Sequence, residues 1–200
     1  MNKLRDSLLA KASAIALIVM GASIGEAALA RGTYTVEIQR PDANGVLRTI
    51  SVDKFPNTVV TVGKNLMLDS ALAGSAYTVT GPFVGLISST SFTAISAADT
   101  MTSHAGWLEA GGANAPTYSG SRPTASWSAA SAGAKALASA AVFNITGTGT
   151  IKGAFMTYGS GAVATVGNTG GTLFSAGLFT GGDRAVISGD VVNVSYSVSL

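Results

Sequence analysis

The sequence predicts a mainly β protein, an antiparallel β-sandwich or barrel with an N-terminal helix and one short internal helix. Three observations carry this. Apolar residues alternate with polar ones at period two over several stretches, most cleanly in "DVVNVSYSVSL" (190–200). Gly- and Ser-rich turns divide the chain into short pieces, with 25 glycines in 200 residues. Helical spacing of apolar residues appears in only two places. No repeat of solenoid length is present.

The elements follow in order. Lys3, Arg5 and Lys11 precede an uncharged run, Ala12 to Gly25, and Ala28-Leu29-Ala30 has the small residues of a signal-peptidase site. The run has 14 residues, too short to cross a bilayer as a helix. The same region makes a helix with Leu4, Leu8, Leu9 and Ile15 near one face, extended by Leu17, Ile18 and Val19. Residues 1–31 are therefore either an apolar assembly arm that uses these side chains as contacts, or an export signal cut after Ala30.

Residues 32–56 read as a charged β-hairpin. "TYTVEIQ" (33–39) alternates, Asn44-Gly45 supplies the turn, and "LRTISV" (47–52) returns. Glu37, Arg40, Asp42, Arg48 and Asp53 suggest a solvated edge, with a docking arm as the alternative.

Residues 57–200 read as the main β domain. "NTVVTVG" (57–63) is a short strand candidate. A helix is expected over Lys64–Ala73, with Leu66, Leu68, Ala71 and Leu72 on one side and Gly74 as its stop. Further strands are expected at 83–88, 124–130, 138–146, 150–159, 172–179 and 190–200. A long polar loop, 96–123, interrupts them. Trp107, Arg122 and Trp127 are its candidate anchors, with Arg122 expected to lie against the Trp127 ring.

Composition narrows the function classes. Charged residues make up 11%, less than half the share usual in soluble domains, so copies repel each other weakly. Net charge is +2, and no basic stripe with interleaved aromatics marks a nucleic-acid surface. With no cysteine there is neither a disulfide framework nor a thiolate metal site.

Chemistry-bearing patterns are sparse. His104 is the lone histidine; Asp99 and Glu109 lie near it in sequence, but nothing marks a nucleophile or oxyanion hole. A loop-pinning role suits His104 better than catalysis. Asp183 and Asp190 follow glycines and read as turn aspartates rather than metal ligands. "GSGAVATVGNTGG" (159–171) lacks the Gly-Lys-Ser/Thr ending of a phosphate loop and reads as a strand connection. "NIT" at 144 and "NVS" at 193 match glycosylation acceptors but fall inside expected strands. No catalytic, cofactor-binding or metal-binding residue is assigned, and no cofactor is expected. Trp127 with polar neighbours also allows a sugar-stacking platform.

Several stretches, in order, resemble a family of tailed-bacteriophage virion proteins often met in short-tailed phages. They are "VVTVGKNLMLDSALAGSAYT" (59–78), "GPFVGLISS" (81–89), "AADTMTSHAGWLE" (97–109), "RPTASWSAAS" (122–131), "TIKGAFMTYGSGA" (150–162) and "GGTLFSAGLFTGGDRAVISGD" (170–190). "GTYTVEIQRPDANG" (32–45) looks like the hairpin that opens such proteins. The resemblance covers about residues 32 to 200. It implies a non-enzymatic structural protein of the virion, assembled in the bacterial cytoplasm, which agrees with a retained N-terminus. The expected role is a capsid cement or decoration protein that contacts the major capsid protein and copies of itself. The alternatives are a tail or head–tail junction protein contacting connector proteins or fibres, and a secreted or periplasmic glycan-binding β-sandwich. Neither nucleic acid nor, without export, a membrane is an expected partner.

Overall fold

The computed structural model describes residues 30–72 and 80–199. Nine strands and one helix follow in chain order. They are β1 (Arg31–Pro41), β2 (Leu47–Val59), α1 (Thr61–Leu72), β3 (Phe83–Ser88), β4 (Ala134–Ala136), β5 (Ala141–Asn144), β6 (Gly149–Tyr158), β7 (Thr172–Leu178), β8 (Arg184–Val186) and β9 (Val191–Ser199). All ladders are antiparallel. The strand order is β3-β6-β7-β2-β1-β9-β4, with β5 also on β9 and β8 also on β6. The sheet curls into a half-barrel, in agreement with the mainly β class read from the sequence. The N-terminal contacts Leu4, Leu8, Leu9, Ile15, Leu17, Ile18 and Val19, and the end of the last strand at Leu200, lie outside the described residues.

The hairpin is not a solvated edge. β1 lies inside the sheet, paired along its length with β2 on one side and β9 on the other. Its alternation explains the placement: Tyr34, Val36 and Ile38 are fully buried and face Tyr196, Val194 and Val192 across the ladder. The strand expected at 47–52 runs on to Val59 as one strand of 13 residues, and the rest of the strand expected at 57–63 is not strand: Thr61, Val62 and Gly63 open the helix. Pro56 is tolerated because β7 pairs only with Asn57–Val59, so the flank of β2 before that has no partner ladder to lose. The turn is longer than a two-residue hairpin. Gly45 alone takes a positive φ, 77°, and the Asp42 carboxylate accepts the N–H groups of Asn44 and Val46 at 2.9 and 3.0 Å.

Helix α1 starts three residues before the expected position, and its face is different. Leu66 is buried, while Leu68 is 56% exposed and Ala71 is also exposed. The contact face is set by Gly63, which lets the helix backbone approach β7. A Cβ at Gly63 would lie 2.3 Å from the carbonyl oxygen of Phe174. Leu66, three residues on, falls on the same side.

β3, β6 and β7 read as nearly continuous apolar runs because both faces of this half of the sheet are covered. The main core, inside the curl, holds Leu86, Met156 and Phe174 with the β1 and β9 residues. A second cluster of Ile87, Phe155, Leu173, Met101 and Trp107 fills the space beneath the long loop. The expected strand at 124–130 forms only isolated bridges, Thr124 with Phe83 and Trp127 with Leu137. At the centre of the main core the Tyr34 hydroxyl bonds Ser175 Oγ at 2.9 Å, and burial holds its pKa well above the usual phenol value. Burial likewise pushes Tyr196 up to about 12, while Asn57 Nδ2 donates to its hydroxyl at 3.0 Å.

Candidate functional site

Two regions concentrate the polar chemistry: the loops at one end of the sheet, and the sheet face turned away from the core.

The loop 96–123 is pinned at two points. Trp107 is fully buried, packs at a tilt against Phe155 with ring centroids 5.1 Å apart, and donates Nε1–H to Asp99 Oδ2 at 2.9 Å. The same carboxylate oxygen accepts the Ser96 N–H. His104 lies flat on the Trp107 indole, centroids 4.0 Å apart, with Nδ1 3.0 Å from the Trp107 carbonyl oxygen. These contacts hold Trp107 beneath the loop, with His104 engaged beside it.

The second point is Arg122. It does not lie on Trp127. Its Nε and Nη2 grip both oxygens of Glu109 at 2.7 Å each, Nη2 also donates to the Asn168 carbonyl, and Nη1 to the Val163 carbonyl. The Arg122 side chain is 1% exposed and that of Glu109 7%. A planar guanidinium matches a carboxylate bidentately, and in a buried setting that pairing outweighs an aromatic face. Phe155 still lies beneath it, 5.5 Å from guanidinium carbon to ring centroid. Gly167 N–H gives Glu109 Oε2 a further bond at 2.7 Å. The pair therefore ties the long loop to the β6–β7 connection, residues 159–171. A cavity of about 370 Å³ lies beside it, bounded by His104, Trp107 and Asn168 among others. Both carboxylate oxygens and four of the five guanidinium hydrogens are already taken, so the pair presents little to a ligand.

Trp127 is half-buried and packs edge-on to Tyr196, centroids 5.9 Å apart. It is not the open platform that sugar stacking needs. Among the described residues, no three His, Cys, Asp or Glu side chains group as metal ligands. Asp190, expected to serve only its turn, accepts Ile187 N–H and also takes Arg40 bidentately at 2.8 and 2.7 Å.

The outward face spans β5, β9, β1 and β2. One row runs Val142, Asn193, Glu37, Val52 across the four strands. Its centre is polar and bonded internally: Glu37 accepts from Thr49 at 2.6 Å and from Gln39 and Asn193 at 3.2 and 3.3 Å. The Thr49 bond chiefly holds the Glu37 carboxyl below its usual pKa, against the opposing effect of burial and with the help of the Gln39 and Asn193 bonds. Thr33, Thr35, Ser195 and Ser197 continue the polar centre. The flanks are apolar. Val142 is 48% exposed on one side, and Val52 62% and Ile50 48% on the other, with Val46 and Leu47 exposed near the hairpin tip.

Of the hairpin charges, Glu37 is held by neutral donors only, and the exposed Lys54, opposite Thr35, makes no salt bridge among the described residues; the others are paired. Arg40 pairs with Asp190, Arg48 with Asp42 and Arg184 with Asp53, while Lys152 binds Asp183. Arg184 therefore fastens β8 to β2 across the gap left beside β7. Sequence reading missed Glu109 and Asp53 as ion-pair partners. Their partners lie 13 and 131 residues away, and no local spacing marks either pair. The sequence matches no family model, and neither a curated protein nor a solved structure matches it.

Proposed function

We propose that this chain is a non-enzymatic structural subunit of a tailed-bacteriophage virion, and specifically a capsid cement protein that binds the shell through the outward face of its sheet. The observation that carries this reading is that face itself. It is a four-strand surface with a polar centre bonded internally around the Glu37 carboxylate, and exposed apolar flanks at Val142 and at Ile50 and Val52. Covering such a face removes apolar area at the flanks from water, and the donors already bonded to Glu37 offset part of the cost of desolvating its carboxylate. The ordered resemblance over residues 32–200 supplies the virion context, and the low charge of the whole chain suits close packing of many copies.

The test is addition of the purified chain to particles that lack it. The wild-type chain is expected to bind in hundreds of copies per particle, as a shell with many equivalent sites demands. The double variant Val52→Lys/Val142→Lys is expected to keep its fold and lose binding. A count of about a dozen copies would move the protein to the head–tail junction. Absence from purified particles would overturn the virion assignment.

A further inference from the structure

The chain carries eight asparagines, and one of them, Asn44, is followed by glycine. Asn2 lies outside the described residues. Four of the others are tied down through their carboxamides: Asn57 to the Tyr196 hydroxyl, Asn114 to the Glu109 carbonyl, Asn168 to the Gly170 N–H and Asn193 to Glu37. The carboxamides of Asn44, Asn65 and Asn144 make no hydrogen bond among the described residues.

These three differ in the amide that follows. Leu66 and Ile145 are both buried; Leu66 lies in α1, and Ile145 N–H donates to the Asp190 carbonyl oxygen at 2.9 Å. Gly45 stands at the exposed hairpin tip, and a Cβ placed on it would meet nothing within 4 Å. Its N–H donates to the Asp42 carbonyl oxygen at 2.9 Å, a bond across the turn alone. Opening one exposed turn bond is a local fluctuation, whereas freeing the Leu66 or Ile145 amide means pulling a buried residue out of the core.

We propose that Asn44 is a self-modification site, at which the hairpin tip converts without an enzyme, and with water as the only co-reactant, to aspartate and isoaspartate. The Gly45 nitrogen gives up its proton to base and attacks Asn44 Cγ. The N–Cγ bond forms, the Cγ–Nδ2 bond breaks and ammonia leaves, which gives a five-membered imide. Water then opens the imide. Cleavage at Cγ yields aspartate; cleavage at the main-chain carbonyl carbon yields isoaspartate, whose backbone runs through Cγ. Glycine permits the attack because no side chain shields its nitrogen or restricts its backbone. The product acts through Asp42. One oxygen of that carboxylate accepts the N–H groups of both Asn44 and Val46, and the other accepts Arg48 Nε at 3.1 Å. Isoaspartate inserts a main-chain carbon between those two N–H groups, so one oxygen no longer holds both. It also sets a second carboxylate beside Asp42, which repels it and competes for Arg48. The tip that carries Val46 and Leu47 is thereby unlocked as the protein ages. The reaction is independent of the virion reading.

The full-length chain is incubated at mildly alkaline pH, folded in buffer and unfolded in urea. Peptide mass spectrometry then follows every asparagine and separates isoaspartate from aspartate by fragmentation. In the folded chain Asn44 is expected to convert first, roughly fivefold slower than in the unfolded chain, the factor set by one exposed hydrogen bond. It is expected to outrun Asn65 and Asn144 by about tenfold or more in the folded chain, because their following amides stay buried. Gly45→Ala is expected to slow conversion in both states by about tenfold or more, since the added methyl shields the nitrogen. Three results would each overturn the proposal: Asn44 intact in the folded chain while the unfolded chain converts, Asn65 or Asn144 converting before it, and undiminished conversion in Gly45→Ala. The purified isoaspartate form is expected to exchange the Val46 amide hydrogen faster than the fresh chain does, with the β1–β9 ladder unchanged. Equal exchange at Val46 would overturn the unlocking of the tip.

Discussion

Replacing Arg122 by methionine removes the guanidinium from a site where its partner has nowhere else to turn. Glu109 is nearly sealed from water and would lose both charge-assisted bonds, keeping only the Gly167 N–H. The Val163 and Asn168 carbonyls lose a donor in the same step. Breaking a buried ion pair from one side costs about 3–5 kcal/mol. For a chain of this size each kcal/mol moves Tm by about 2–4 °C, so the expected drop is roughly 6–20 °C. Removing both charges, as Arg122→Met/Glu109→Leu, leaves no buried ion and should recover part of the loss, with a coupling of about 0.5–3 kcal/mol between the positions. Urea unfolding followed by the fluorescence of the two tryptophans and by far-UV circular dichroism measures both quantities. A loss below about 1 kcal/mol for Arg122→Met, the size of an exposed pair, would refute the view that this contact holds the two loops together.

Other substitutions test other parts of the fold. Gly63→Ala places a methyl 2.3 Å from the Phe174 carbonyl oxygen and must lift α1 from β7; a loss of about 1–3 kcal/mol in denaturant titration is expected. Tyr34→Phe removes the bond to Ser175 Oγ and should cost about 1 kcal/mol with little change in the urea m-value. Burial raises the Asp190 and Asp53 carboxyls, but their bonds with Arg40 and Arg184 outweigh it and hold both below the usual carboxylate range. Because the folded pKa values are the depressed ones, this stability is present above the unfolded value of about 3.9 and is lost as pH falls through the folded values. Tm should be flat near neutrality and fall below pH about 4. Asp190→Asn should lower it at neutral pH and soften the acid fall, as calorimetry across pH will show.

Where a strand spans enough residues to display its period, the sequence states it plainly. β9 alternates Val192, Val194 and Tyr196 against Asn193, Ser195 and Ser197, and the structure buries the first set. β4 and β8, with three residues each, are too short to show any period, and only pairing with β9 and β6 makes them strands. The stretch 124–130 failed the other way. Its apolar positions are satisfied by Trp127 on Tyr196 and Ala125 in the core, so burial is achieved without a ladder. The outward face was half legible. Its polar residues are visible as the second phase of β1 and β9, but the row from Val142 to Val52 needs four strands in register. Arg122 was recognised as an anchor and given the wrong partner, because sequence proximity favours Trp127 while the fold brings Glu109.

β1 has β2 on one side and β9, the last strand of the sheet, on the other. The carboxylate that Arg40 grips lies 150 residues further along the chain. A polypeptide still emerging from the ribosome therefore makes its first strand long before the neighbour that shields one flank exists. Until β9 has been made, Tyr34, Val36 and Ile38 remain open to wrong partners, including nascent copies on the same message. Such long-range closure is slow in folding, and it makes loss of β9 a lesion felt at β1.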